Sequence, residues 1–275
     1  MTPTTRPFLP PSFSLLLFLL FITLSLNLNT QSVYAQSPTL RRRSAYTLYN
    51  NQFYIQGGIL SGVNTGSNEF NSLNLAAAWP TIAAPWTTLP AGKQGWHHAM
   101  VAIEPKFSAG IGSGTQGYIL SIGGTPAVGQ GFWSAFDIQT KQWKNVSVEA
   151  ADISLVPYVE LQGHTATVDP TTGLVYVIGG YDGLNSNALL PEVTNLLTVY
   201  DPNTGKLLSQ ERATTDNSLT GANAIWSTER GTVMLLGGSR AVVTVSVVGL
   251  DMSILTEYSP SKKTWTSMGR FPKPV

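Results

Sequence analysis

The sequence contains no cysteine. This absence excludes thiolate metal sites, cysteine nucleophiles and any cofactor made from a cysteine side chain. It does not exclude a secreted protein, because a chain of 275 residues can fold on its hydrophobic core without disulfide bonds. The imidazole groups open to catalysis or metal binding are limited to those of three histidines.

Charged residues are also scarce, at 11% of the sequence, and the net charge is only +1. A chain this close to neutral has no strong attraction for phosphate backbones, so we expect no nucleic-acid partner. Its hydrophobic content of 43% is too high for a disordered chain. The 26 glycines and 17 prolines indicate many turns between packed strands.

The N-terminus carries an apolar run, Phe13 to Leu26, that is shorter than the roughly 20 residues a membrane-spanning helix needs. A weakly positive start at Arg6 precedes this run. Val33-Tyr34-Ala35 follows it, and Val33 and Ala35 are the compact residues that a signal-peptide cleavage site needs. We therefore predict a signal peptide over residues 1–35, cleaved after Ala35, and a secreted or surface-displayed protein. The alternative is an uncleaved anchor; no membrane span is expected after the signal peptide.

Four short apolar segments of the mature chain each end in a pair of glycines: Gly57-Gly58, Gly123-Gly124, Gly179-Gly180 and Gly237-Gly238. A run of aliphatic, β-branched or aromatic residues that stops at two glycines predicts a buried strand. At its end the backbone either passes very close to a neighbour or adopts a positive φ.

Further short elements flank each glycine pair. The segments after it, such as Phe136–Trp143 and Tyr258–Trp265, have an aromatic residue, a turn-forming centre and a large apolar residue seven positions on. With a strand before each pair, every repeat has four antiparallel strands, and the repeat spacing of about 50–60 residues fits a propeller blade. After a lead-in of 36–43, the predicted propeller covers 44–275, with blades at 44–91, 96–149, 163–212 and 221–269.

This arrangement resembles the kelch repeat over essentially the whole mature chain, and in particular secreted or membrane-anchored fungal kelch proteins often labelled galactose oxidase-like. We interpret Trp86, Trp143 and Trp265 as its structural tryptophans; Leu207 replaces the one expected in the third repeat. The resemblance implies an all-β, kelch-type β-propeller. Because kelch propellers usually have more than four blades, we expect an incomplete, truncated propeller; a genuine four-bladed ring is the alternative.

The resemblance also assigns the histidines. His98 and His164 fall at the start of the first strand of their repeats, a structural position in the kelch repeat rather than a metal site. Tyr46 is placed in that position in the first repeat, and Ala222 or Asn223 in the fourth.

We expect a non-catalytic binding or protein-interaction module, with no catalytic residue, metal or cofactor. Its partner would be an extracellular protein or a cell-wall glycan, contacted through loops at one face, for which Ser61–Asn68, Lys106–Gln116 and Gly183–Thr194 are candidates. Trp133 is interpreted as blade packing, with stacking on sugar rings as the alternative. The competing hypothesis is a galactose oxidase-like carbohydrate oxidase. Its copper site would lie in blades absent from this chain, because that cofactor requires a cysteine.

The secretory hypothesis makes one measurable prediction. The secreted protein should begin at Gln36 and carry a glycan on Asn145, the acceptor of the sequon Asn145-Val146-Ser147. Intact-mass measurement, with Asn145→Gln as the control that loses the glycan, checks both points. A secreted product that still begins at Met1 would contradict the cleavage.

Overall fold

The computed structural model describes residues 37–63, 65–76, 78–79, 84–125, 131–151, 161–182, 196–212, 220–238 and 254–270. Within these ranges the chain forms β-strands and one short 3-10 turn at Pro105–Phe107, but no α-helix. No helix in these ranges is long and apolar enough to cross a membrane. In chain order the strands are β1 (Arg41–Arg42), β2 (Ala45–Tyr49), β3 (Gln52–Gln56), β4 (Ile59–Leu60), β5 (Phe70–Asn74), β6 (Trp86–Leu89), β7 (Ala99–Ile103), β8 (Tyr118–Ile122), β9 (Ser134–Asp137), β10 (Gln142–Asn145), β11 (Glu149–Ala150), β12 (Leu161–Gln162), β13 (Thr165–Val168), β14 (Val175–Ile178), β15 (Tyr181–Asp182), β16 (Leu196–Asp201), β17 (Lys206–Arg212), β18 (Asn223–Ser227), β19 (Thr232–Leu236), β20 (Ile254–Ser259) and β21 (Thr264–Arg270).

Four antiparallel sheets, each a meander of four consecutive long strands, follow one another in a ring. Blade 1 has the order β2-β3-β5-β6, blade 2 β7-β8-β9-β10, blade 3 β13-β14-β16-β17 and blade 4 β18-β19-β20-β21. The predicted all-β propeller with four four-stranded antiparallel blades is confirmed. Blade 3 differs in detail, because β11, from the connection after blade 2, adds a fifth strand parallel to β17.

Two faces of the ring can be told apart. The innermost strands β2, β7, β13 and β18 begin near the glycine pairs, and we call that side of the ring the Gly-Gly end. The turns from the first to the second strand of each blade, such as Asn50–Asn51, lie at the opposite side, which we call the hairpin end. Both ends are therefore fixed by the antiparallel connections within the blades.

Hydrophobic clusters fill three of the four junctions between blades. Tyr54 and Phe70 of blade 1 pack with Phe136 of blade 2, and the Phe70 and Phe136 ring centroids are 4.9 Å apart. A second cluster, which includes Leu120 and Tyr200, joins blades 2 and 3. A third, which includes Tyr176, Leu235 and Tyr258, joins blades 3 and 4. Burial of these apolar faces, at about 25 cal/mol for each Å² removed from water, is the main term that holds the blades together.

The junction between blades 4 and 1 is different. Among the described residues no hydrophobic cluster spans it, and one hydrogen bond, from Tyr46 Oη to Asn223 Oδ1 at 3.3 Å, links the two sheets. Large apolar side chains remain exposed on both sides, with Leu48 at 59% and Ile225 at 50%. The ring therefore has three packed junctions and one open junction.

All eight glycines of the four pairs have positive φ, between 60° and 107°. The reason is clearest at Gly124, where an added Cβ would lie 2.7 Å from the Cβ of His98 and 2.8 Å from the Trp96 carbonyl oxygen. At Gly57 an added Cβ would lie 2.7 Å from Cε1 of the same histidine. The His98 side chain thus sits between the second glycine of its own blade and the first glycine of the preceding blade.

Because of these contacts, we expect Gly124→Ala to lower the unfolding free energy by more than the strain of an alanine at positive φ alone. Gly62 is the matched control, because its φ of 83° is close to the 87° of Gly124 and no atom lies within 4 Å of its added Cβ. Gly62→Ala should lower the unfolding free energy by about 1 kcal/mol from left-handed strain alone. Gly124→Ala should cost about 2 kcal/mol or more, because backbone must also move. Equal losses in denaturant unfolding would show that close approach plays no part.

Candidate functional site

In every blade, the residue two positions before the start of the inner strand borders the channel at the Gly-Gly end. These residues are Arg43, His97, Gly163 and Gly221, and all have φ between 60° and 69°. Backbone N–H groups link them from blade to blade: His97 donates to the Arg43 carbonyl at 3.2 Å, Gly163 to His97 at 2.9 Å and Gly221 to Gly163 at 2.8 Å. We call this set the channel belt.

Two members of the channel belt carry side chains where two others are glycine. Left-handed backbone costs a non-glycine residue about 1 kcal/mol or more, so glycine would suit Arg43 and His97 equally well on backbone grounds. Strain of this kind collects at functional sites, where a side chain is needed despite its conformational cost. Arg43 and His97 are therefore the first residues to consider for binding.

His97 is held by a polar contact across the channel mouth. Its Nδ1 is 2.9 Å from the hydroxyl of Tyr181, and that hydroxyl also lies 3.0 Å from Oε1 of Gln162. Because the amide oxygen can only accept, the Tyr181 proton points to Gln162 and His97 donates from Nδ1. Burial, with a smaller effect of the Arg43 charge, lowers the pKa of His97 to about 4, so its ring is neutral at physiological pH.

The Arg43 side chain is exposed at the same mouth and makes no hydrogen bond or ion pair with any described residue. Its neighbour Arg41 behaves differently, since it bonds the Asn71 side chain at 2.9 Å and lies 3.5 Å from the Glu69 carboxylate. Below the mouth, a channel of about 1020 Å³ is lined by the inner strands, with Tyr46 on its wall exposed to 56%. The Arg43 guanidinium and the exposed Tyr46 ring therefore border the same cavity.

The remaining histidines are structural. His98 and His164 are each 6% exposed and begin the inner strands of blades 2 and 3, where each packs against two glycines. Burial is the main reason that the pKa of His164 falls to about 3 and that of His98 falls well below its usual range. The assignment of Tyr46 to the corresponding position of blade 1 was wrong: Ser44 lies against Gly58 there, two residues before Tyr46, and Ala222 holds the position in blade 4.

The tryptophans have unequal surroundings. Trp143 donates from Nε1 to the Pro90 carbonyl at 2.9 Å and packs on Phe70 of the preceding blade, while Trp265 packs on its cross-strand partner Tyr258 at 4.9 Å. Leu207 pairs with Tyr200 in the same register. Trp86, opposite Leu73 in blade 1, contacts Phe53 on the face that borders the open junction.

The candidate binding loops do not share one end. Ser61–Asn68 lies at the Gly-Gly end, whereas Lys106–Gln116 lies at the hairpin end, where Gly110 donates to the Pro202 carbonyl at 3.0 Å. All of Gly183–Thr194 is outside the described residues. Trp133 is 4% exposed and makes an edge-to-face contact with Tyr200, so it offers no face to a sugar. Asn145 is exposed at the end of the outermost strand of blade 2.

Sequence reasoning missed Lys93, which is 8% exposed between blades 1 and 2. Its Nζ lies 2.5 Å from the carbonyl oxygens of both Gly123 and Phe132, and its own carbonyl accepts from Gln56 at 2.6 Å. Burial lowers the pKa of Lys93 to about 7. A neutral amine has two N–H groups, and two carbonyls accept them, so the uncharged form is fully satisfied.

No protein-family description and no curated protein sequence matches the chain. Within the described ranges no group of three or more His, Asp or Glu side chains lies close enough to hold a metal ion. The channel mouth offers four groups to a ligand. They are the guanidinium of Arg43, the neutral imidazole of His97, the phenol of Tyr181 and the exposed ring of Tyr46. Such a set recognises ligands by hydrogen bonds and ring contacts.

Lys93 gives a stability prediction with a defined sign. Between about pH 7 and its unfolded pKa of 10.5, the unfolded chain holds a proton on Lys93 that the folded chain lacks. The unfolding free energy should therefore rise with pH above 7, by at most about 1.4 kcal/mol per pH unit. Lys93→Met should flatten that rise in denaturant titrations from pH 7 to 9.5. An identical slope in both proteins would mean that the buried amine is charged.

Proposed function

We propose that this chain is a secreted, kelch-type β-propeller that binds an extracellular partner, protein or cell-wall glycan, without transforming it. The observation that carries the proposal is the pair of strained, non-glycine residues in the channel belt. Arg43 and His97 hold left-handed backbone at the channel mouth where glycine serves in the other two blades. Glycine at these two positions would keep the backbone conformation but would remove the guanidinium and the imidazole.

Several further features support binding rather than catalysis. No described residue pairs with the guanidinium of Arg43, and none hydrogen-bonds Nε2 of His97. Tyr46 adds aromatic surface within the same channel. A mostly apolar cavity with a few convergent polar groups is the usual form of a binding site. The neutral imidazole is a poor proton acceptor, because a pKa of about 4 leaves it a weak base.

The test separates binding from stability. His97→Gly should change the unfolding free energy by no more than about 1 kcal/mol, because the relief of left-handed strain offsets the lost hydrogen bond to Tyr181 and the added entropy of the unfolded chain. The same change, and Arg43→Ala, should weaken binding at least tenfold on an array of cell-wall oligosaccharides or to secreted proteins of the native host. Lys141→Gly is the matched control, since Lys141 has φ 59° but lies in a turn at the hairpin end.

Two outcomes would contradict the proposal. Binding that is equally strong in the wild type, His97→Gly and Arg43→Ala proteins would move the site away from the channel mouth. Copper-dependent release of hydrogen peroxide from sugar alcohols by this chain would show that it transforms its ligand, which contradicts a binding role.

A further inference from the structure

The four blades repeat one packing scheme, and that scheme identifies two surfaces that lack a neighbour. In blades 2, 3 and 4 the face carrying the third- and fourth-strand pair is covered by the preceding blade. These pairs are Phe136 with Trp143, Tyr200 with Leu207, and Tyr258 with Trp265. The corresponding pair of blade 1 is Leu73 with Trp86. By the same scheme, blade 4 should cover it.

On blade 1 this face is largely uncovered. Alternation along the paired strands puts Tyr46, Leu48, Phe53 and Trp86 on one side of the sheet, opposite to Tyr54 and Phe70, which pack on blade 2. Tyr46 and Leu48 are 56% and 59% exposed. The rings of Tyr46, Phe53 and Trp86 form a row, with neighbouring centroids 5.9 and 6.1 Å apart. We call these four residues the blade 1 free face; Tyr46, Leu48 and Phe53 also line the channel, so the open junction adjoins the site proposed above.

Blade 4 presents the complementary surface. Its strands direct Val233, Leu235 and Tyr258 towards blade 3, so Ile225, Met234 and Leu236 lie on the other side. Ile225 is 50% exposed. Glu257, the cross-strand partner of Met234, lies on this side as well, 7% exposed and paired with Arg230 at 2.6 Å. We call the apolar residues Ile225, Met234 and Leu236 the blade 4 free face. This is the side that, in each earlier blade, covers the next one.

The backbone hydrogen bonds also distinguish the open junction from the three packed junctions. Each packed junction has a belt hydrogen bond from an N–H to the carbonyl of the preceding blade. The bond that would complete this set, from the Arg43 N–H to the Gly221 carbonyl, is not among those of the described residues. At this junction, donor and acceptor are both present and are not joined to each other.

We propose that two copies of this chain exchange partners at the open junction, the blade 1 free face of each copy packing on the blade 4 free face of the other. We choose a second copy as the occupant because this chain itself supplies both surfaces, the blade 1 free face and the blade 4 free face. Their pairing would repeat the contact seen at the three packed junctions. Within one copy, and among the described residues, one exposed hydrogen bond joins the two sheets, and the exchange breaks it. Two reciprocal junctions close the assembly and leave neither apolar face in water.

The first measurement is the mass of the secreted protein by light scattering over a range of concentrations. We expect the mass of two chains, reduced to one chain by Leu48→Lys or Ile225→Lys. Leu208→Lys, at a leucine of blade 3 that is 43% exposed, is the control that keeps the mass of two chains. A wild-type protein that stays at the mass of one chain at every concentration overturns the proposal, whether the faces then meet within one copy or bind a different molecule.

The second measurement fixes which faces meet, and it uses the absence of native cysteine. A Leu48→Cys protein mixed with an Ile225→Cys protein should give a cross-linked pair with a short bismaleimide reagent, while each variant alone should not. Cross-linking of Leu48→Cys with itself, or of the Leu208→Cys control with either, would overturn the face assignment. Cross-linking only within a Leu48→Cys/Ile225→Cys double variant would show closure inside one chain and overturn the exchange.

Discussion

The close approach of backbone at the glycine pairs is the constraint on which the ring depends. Because Gly57 and Gly124 have no Cβ, the side chain of His98 fits between two successive blades. The same packing recurs around His164 with Gly123 and Gly180. Once these side chains are seated, the inner strands lie near enough for the belt hydrogen bonds to form. Blade spacing, channel width and the position of the mouth residues all follow from that contact.

Much of this arrangement can be read from the sequence, because it depends on residues with few alternatives. Two glycines at the end of an apolar run require an unusual backbone, and Phe136 and Trp143 flank a turn that fixes them as cross-strand partners. The position of Tyr46 could not be fixed in the same way. Ser44 stands where blades 2 and 3 have a histidine, so its residue type gives no signal. A residue two positions further along a strand lies on the same face, so the alternation of side chains between the two faces does not reveal the error.

The mouth of the channel could not be predicted for a different reason. Nothing in a single sequence shows that Arg43 or His97 adopts positive φ, since either residue fits extended backbone equally well. Their equivalence to Gly163 and Gly221 is visible only when the four strand starts are aligned on the structure. Lys93 was missed because lysine is almost always exposed, and its two carbonyl acceptors come from residues 30 and 39 positions away.

The scarcity of charge shapes the interior as well as the surface. Lys93 and all three histidines lie on the inner side of the Gly-Gly end, where burial favours the uncharged form of every one of them. A set of cations so close together would repel and lose hydration, so the neutral forms are required for the blades to pack. The three histidines behind the mouth are neutral, so the charge there comes from the exposed Arg43 guanidinium, which no described residue pairs.

Arg43 also connects the mouth to the open junction. Its side chain faces the proposed ligand, while its carbonyl accepts the belt bond from His97 and its N–H is at the end of the belt next to Gly221. A second copy that packs on blade 1 would set the backbone of the residue that contacts the ligand. Binding free energies are reciprocal, so a ligand that prefers one position of Arg43 would shift the exchange of copies by the same factor. The junction with the least packing is thus the one through which assembly and recognition would be coupled.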